Sequence, residues 1–203
     1  ATTEIYTLSL HDRSSDLHEE TKRAVKLIMD AIEQSGKALV LDADGLKAFA
    51  SFKRKLKVPF VLTPHAGEYA LLTGKKLSDT FEEKAADVQK TSASLNAVVL
   101  LKGHVDIVSG EKRLKFNFTG NPGMTVGGTG DVLTGIIGAF LAQHTDPFEA
   151  AVAGAFVNGA AGDFVLHEKG AHMVASDLIN WIPHVLDDPM DHLKVQGTHG
   201  KTS

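Results

Sequence analysis

Cysteine is absent from all 203 residues. That excludes disulfide bridges and zinc sites built on thiolates, and it suits a reducing compartment. Clustered positive charge is missing too. The formal net charge is −4 and no basic block occurs, so a nucleic-acid partner is not indicated. No apolar run approaches the roughly 18 residues of a membrane-spanning helix, and the first residues lack the basic start and apolar middle of a secretory signal. A membrane partner is therefore not expected, and the cytoplasm is the expected compartment. Neither internal repeats nor low-complexity segments occur.

What is present is a hydrophobic content of 43%, enough for the core of one ordinary domain or a large part of a bigger one. Ile5-Tyr6-Thr7-Leu8-Ser9-Leu10 can form a strand, and His11 to Asp16 reads as a polar loop. Asp16 can cap a helix with an inward stripe at Ala24, Leu27, Ile28, Ala31 and Ile32, ended by Gly36. Three apolar runs, Ala38 to Asp42, Lys57 to Thr63 and Ala97 to Leu101, suit strands buried on both faces. A helix from Phe81 to Ser94, with Phe81, Ala85, Val88 and Leu95 inward, separates the last two.

This alternation argues for a mostly parallel sheet covered on both faces. An antiparallel hairpin follows, Val105 to Ser109 and then Leu114, Phe116 and Phe118 alternating with Arg113, Lys115 and Asn117. Two helices rich in small residues come next, over 131–142 and from Asp146-Pro147 to Leu166. Ser176-Asp-Leu opens a last short helix, which Pro183 limits. Residues 1–186 are thus expected to form one domain and 187–203 a polar, flexible tail.

The most informative stretch is Thr119-Gly-Asn-Pro-Gly-Met-Thr-Val-Gly-Gly-Thr-Gly-Asp131, feeding the apolar run Val132 to Leu141. A helix start exposes unpaired N–H groups and a partial positive charge, which together seat a phosphate. Glycines at 127, 128 and 130 allow close approach. Asp131 beside such a seat either caps the helix or takes a proton from a hydroxyl attacking the phosphate.

Three further polar groups follow inner strands directly, at the edge where open α/β sheets bind ligands. In Thr63-Pro64-His65-Ala66-Gly67-Glu68, His65 and Glu68 can bind substrate or a metal-bound water, or simply form a turn and a helix start. In Lys102-Gly103-His104-Val105-Asp106, the lysine can meet a phosphate or sit exposed at a strand end. Asp42 and Asp44 suit a hydrated Mg2+, a substrate hydroxyl, or a turn. Asn117 can touch a nucleotide, while Asn121, before Pro122, fits turn chemistry. Gly197 to Thr202, His167 to His172 and Gly128-Thr-Gly130 lack the spacing of a P-loop, a zinc helix and a dinucleotide fingerprint.

From Leu39 to Ile182 these motifs, in this order, resemble the ribokinase-like domain of the NAD(P)H-hydrate dehydratases. The matching pieces include Val40-Leu-Asp-Ala-Asp-Gly-Leu46, Leu62-Thr-Pro-His-Ala-Gly-Glu68, Leu101-Lys-Gly103, Thr119-Gly-Asn-Pro-Gly-Met124, Gly127-Gly-Thr-Gly-Asp131 and Gly159-Ala-Ala-Gly162. The resemblance implies a three-layer α/β/α fold and a lyase that restores hydrated NADH or NADPH. ADP or ATP, with Mg2+, would phosphorylate the C6 hydroxyl, and phosphate would then leave. It implies Asp131 as the base, with His65, Glu68 and Asp131 on the hydrated dinucleotide. Lys102, Gly103, His104, Val105, Asp106 and Gly130 would line the adenine nucleotide, and Gly128, Thr129 and Gly130 the anion hole.

A homo-oligomer, with a homotetramer as one form, and a functional pairing with an epimerase are implied as well. Lys47 stands where the family usually has Asn. The family domain is also expected to begin roughly seventy residues earlier, with a Gly-Pro-Gly-Leu-Gly loop where Leu8 to Ser15 stands here. The chain is accordingly expected to be a fragment, a frame-disrupted product, or a domain completed by another chain, with an exposed sheet edge. A ribokinase-like kinase such as hydroxyethylthiazole kinase, and a non-catalytic nucleotide-binding module, are the alternatives.

Overall fold

The structure, a computed structural model, describes residues 6–8, 17–52 and 54–196. Its strands are β1 (Tyr6–Leu8), β2 (Leu39–Leu41), β3 (Phe60–Leu62), β4 (Val98–Leu101), β5 (Asp106–Gly110) and β6 (Arg113–Asn117). They form one sheet in simple chain order; β1 to β4 run parallel and β5 and β6 antiparallel.

Alternation along the strands splits the core in two. Leu39, Leu41, Phe60 and Leu62 face one side, where α1 (Glu19–Ser35), α2 (Ala43–Phe52) and α4 (Phe81–Leu95) bury Val25, Met29, Phe49 and Val88. Val40, Val61, Leu100 and Val108 face the other, under α5 (Thr129–Ala142) and α6 (Pro147–Lys169). A third cluster joins these two helices to α7 (Ala175–Asp187) and α8 (His192–Gln196). The expected parallel sheet, terminal hairpin and covering helices are all present. Among the described residues no helix is long and apolar enough to cross a membrane.

Close packing of α6 explains its small residues. A methyl group at Gly154 would collide with Ile137 of α5, and one at Gly162 with Met124. Neither helix could approach as it does with larger side chains.

Five expectations change. Helix α1 packs on the sheet through Val25, Met29 and Ile32, with Ile28 partly buried, so of the expected stripe Ala24 and Ala31 are exposed and Leu27 is 61% exposed. Helix α2 went unforeseen, and of α3 (Ala66–Thr73) only its start at Glu68 was offered, as one alternative, because each begins inside a polar motif that also reads as a turn. Phe81 is 38% exposed rather than inward; at the start of α4 it reaches the β6 edge and rests on the Phe116 ring at 4.9 Å. Pro183 lies within α7 instead of limiting it. Its missing N–H strands only the carbonyl of Ile179, a residue that faces water. Within the stretch read as tail, a 3-10 turn (Pro189–Asp191) and α8 bury His192 and Val195. Asp16, proposed to cap α1, and residues 197–203 lie outside the described residues.

Candidate active site

The parallel strands deliver their C-terminal ends to one edge of the sheet, and a cleft of about 320 Å3 opens there. Asp42 follows β2, His65 and Glu68 follow β3, and Lys102 follows β4; Gly128, Gly130 and Asp131 face them from the start of α5. Residues as distant in sequence as Asp42 and Asp131 thus share one space.

Side chains make the first wall. Lys102 Nζ lies 2.7 Å from Asp42 Oδ1 and 3.8 Å from Glu68 Oε2, with both carboxylates almost fully buried. Thr134 donates to the other Asp42 oxygen at 3.4 Å. Such a buried charge group holds only because its members satisfy each other. Asp44, also buried, pairs with Lys47 at 2.7 Å. Between the two aspartates Ala43 adopts a left-handed φ of 47°. That conformation costs a non-glycine residue about 1–2 kcal/mol, and here it turns the chain abruptly from β2 into α2.

His65 caps α3. Its Nδ1 accepts the N–H groups of Gly67 at 3.0 Å and Glu68 at 3.3 Å, while Glu68 Oε2 accepts from the His65 backbone at 2.9 Å. This capping box uses up Nδ1 as an acceptor, so in the neutral ring Nε2 carries the proton. The helix-start reading of His65 and Glu68 holds, and both residues line the cleft.

Backbone makes the second wall. Gly128, at φ 96°, precedes α5 and brings no side chain to cap it. As at any helix start, the first N–H groups have no intrahelical acceptors, and Gly127, Gly128 and Gly130 line the cleft at this point. A methyl at Gly130 would stand 3.1 Å from Asp42 Oδ2 and 3.5 Å from Lys102 Nζ, so glycine there lets the helix start meet the charged wall. Asp131 is exposed in the same first turn and lines the cleft.

The remaining candidates lie beside the cleft. Gly103 and His104 are exposed on the β4–β5 turn, and Val105 and Asp106 are half-buried there. Asp106 accepts from the Gly103 N–H and from Asn117 Nδ2, both at 3.0 Å, and burial pushes its carboxyl above the ordinary range. Asn117 in turn accepts the Thr119 hydroxyl at 2.9 Å, which ties the β4–β5 turn to the glycine-rich loop. Thr129 points back into that loop, its hydroxyl donating to Met124 O at 2.9 Å.

Asn121 accepts the Gly123 N–H at 3.1 Å, the turn chemistry foreseen for it, and donates to Asp163 at 3.0 Å. Asp163 and its partner His192 escaped the sequence reading. A lone acid amid the small apolar residues of α6 was the available signal, since a buried carboxylate requires partners.

The cleft gathers four carboxylates, Asp42, Asp44, Glu68 and Asp131, against two ammonium groups, Lys47 and Lys102. No group of three or more metal-ligating side chains exists among the described residues. The protein offers a cation at most a carboxylate or two.

A mostly parallel sheet between helical layers, with a glycine turn opening a helix opposite acidic strand ends, defines the ribokinase-like fold class. Within it the chain belongs to the NAD(P)H-hydrate dehydratase family, which matches residues 17–184. It is 47% identical over 171 residues to the bifunctional NAD(P)H-hydrate repair enzyme Nnr of Pyrobaculum aerophilum, covering 84% of this chain and 33% of that protein. The ADP-dependent (S)-NAD(P)H-hydrate dehydratase of Cenarchaeum symbiosum is 40% identical over 134 residues, 66% of this chain and 46% of that one. The crystal structure of the ADP/ATP-dependent NAD(P)H-hydrate dehydratase from Bacillus subtilis, co-crystallised with ATP/Mg2+, superposes with a TM-score of 0.72 at 30% identity, covering 81% of this chain and 60% of that chain. The chain spans about a third of the length of its bifunctional relatives.

Proposed function

We propose that the chain carries the site of a nucleotide-dependent NAD(P)H-hydrate dehydratase, with ADP as the phosphoryl donor. The observation that carries this reading is Asp131 on the first turn of α5, across the cleft from the Lys102–Asp42–Glu68 cluster. Asp131 accepts the proton of the C6 hydroxyl of hydrated NADH or NADPH. The oxygen attacks the terminal phosphorus of ADP, and AMP departs. The C6–O bond then breaks to release phosphate while C5 gives up a proton, and the new C5=C6 double bond restores the dihydropyridine. The N–H groups of Gly128, Thr129 and Gly130 hold the charge on the transferring group.

His65 and Glu68 meet the dinucleotide on one side. Lys102 and the turn Gly103 to Asp106 meet the adenine nucleotide on the other. Both ligands are anionic and the cleft holds more carboxylates than ammonium groups, so a cation must enter with them. Mg2+ fits that need as an ion carried largely by phosphates and water, with Asp42 and Asp44 the carboxylates placed to meet its hydration shell. It supplies charge neutralisation on the phosphates. The same reading carries a cytoplasmic setting, a homo-oligomer, and an epimerase partner supplying the substrate epimer; relatives bear the name bifunctional.

The direct test is to incubate the chain with hydrated NADH, Mg2+ and ADP or ATP while following the reduced-nicotinamide absorbance. Recovery that requires the nucleotide supports the reading. Nucleotide binding without any recovery favours a non-catalytic module, and phosphorylation of a hydroxyethylthiazole instead would favour the kinase alternative.

A further inference from the structure

The loop that leads into the anion seat is held from behind by a buried pair that touches no part of the cleft. Asp163, on α6, accepts three hydrogen bonds. The Gly120 N–H reaches Oδ2 at 3.0 Å, Asn121 Nδ2 reaches Oδ1 at 3.0 Å, and His192 Nε2, on α8, reaches Oδ2 at 2.9 Å. The His192 and Asp163 side chains are 3% and 6% exposed. His192 also sets its ring edge-on to Phe156 at 5.7 Å.

From Asp163 a continuous chain of bonds runs to the seat. Asn121 Oδ1 takes the Gly123 N–H, the Asn121 carbonyl takes the Met124 N–H at 3.0 Å, and the Met124 carbonyl takes the hydroxyl of Thr129, first residue of α5. Gly120 adopts a φ of 101°, which glycine reaches without the steric cost a side chain would bring. His192 lies past the residues that match the family, 17–184.

We propose that His192 is a positioning residue for the anion seat: through Asp163 it fixes loop 120–124, and with it the first turn of α5. A buried carboxylate serving three donors keeps its geometry only while all three are in place. With the imidazole donor gone, Asp163 draws its third bond from water or from the loop, and the loop's register relaxes. The consequence for ADP rests on the function proposed above; the coupling of α8 to the loop does not.

The test compares wild type, His192→Phe, which keeps a ring against Phe156 but removes the donor, and His192→Gln, whose amide can donate to Asp163. Amide hydrogen exchange of residues 120–131 reads the coupling without any ligand or turnover. ADP titration by calorimetry reads the seat. His192→Phe should speed exchange in 120–131 and weaken ADP binding by about tenfold, the scale of one charge-assisted hydrogen bond, and His192→Gln should bring both within about threefold of wild type. In the turnover assay the loss should fall on KM for ADP rather than on kcat. Unchanged loop exchange in His192→Phe would overturn the proposal. So would faster exchange spread evenly over the whole molecule with no rescue by Gln, the mark of a merely structural role. A wild type without dehydration activity leaves the exchange comparison intact.

Discussion

The wall formed by the ends of β2, β3 and β4 carries its chemistry on buried side chains, whereas the wall facing it carries its chemistry on backbone amides. On the first, Lys102 is the cation shared by the Asp42 and Glu68 carboxylates. Their positions follow from strand ends locked in register. On the second, the geometry is set by glycines at 120, 128 and 130 and by side chains from α6 and α8. One wall therefore fails when a charge loses its partner. The other fails when a methyl group is added or a distant tether is cut.

That contrast can be broken at each wall in turn. Lys102→Met should have the largest effect on stability, because it leaves Asp42 and Glu68 buried beside each other without a cation. The expected loss is about 3–5 kcal/mol, read by denaturant unfolding at pH 7, and lowering the pH should recover part of it. Gly159→Ala attacks the second wall from behind. A methyl there would collide with Thr119 Oγ1 and stand 2.7 Å from the Thr119 carbonyl carbon, which is backbone and cannot swing aside. About 1–3 kcal/mol of destabilisation is expected, with weaker ADP binding even in the folded protein. A loss of stability with unaltered binding would uncouple that packing from the seat.

The smallest effect concerns the seam between the walls. Burial raises the Asp106 carboxyl above its unfolded value. The folded state therefore holds that proton more tightly than the unfolded chain does. The stability this contributes is fully present below the unfolded pKa and is lost as pH rises through the folded value. Asp106→Asn removes that dependence. The variant should accordingly gain on wild type, in the difference between their unfolding free energies, as pH rises from about 4 towards neutrality; a pH-independent difference would refute the assignment.

The first wall was legible in the sequence because its signal is local: an apolar run followed at once by Asp42, His65 or Lys102 names a strand end and its polar group together. The glycine-rich turn and Asp131 were legible for the same reason. The supports were not. Asp163 lies 43 residues from Gly120 and 29 from His192, and no periodicity reports a contact made between two helices and a loop. Helices α2 and α3 hid inside motifs whose polar residues also suit turns, and the left-handed Ala43 that opens α2 carries no residue-type signature. Local chemistry showed what the site holds, and tertiary packing decides how firmly.

The central claim is that Asp131 acts as the base opposite the charged wall, and Asp131→Asn tests it most directly. With hydrated NADH, ADP and Mg2+ in the absorbance assay, turnover should fall by at least about a hundredfold, the usual weight of a general base. ADP affinity, measured alongside, should stay within about threefold of wild type, because the amides of the seat are untouched. Turnover surviving within about tenfold of wild type would contradict the account.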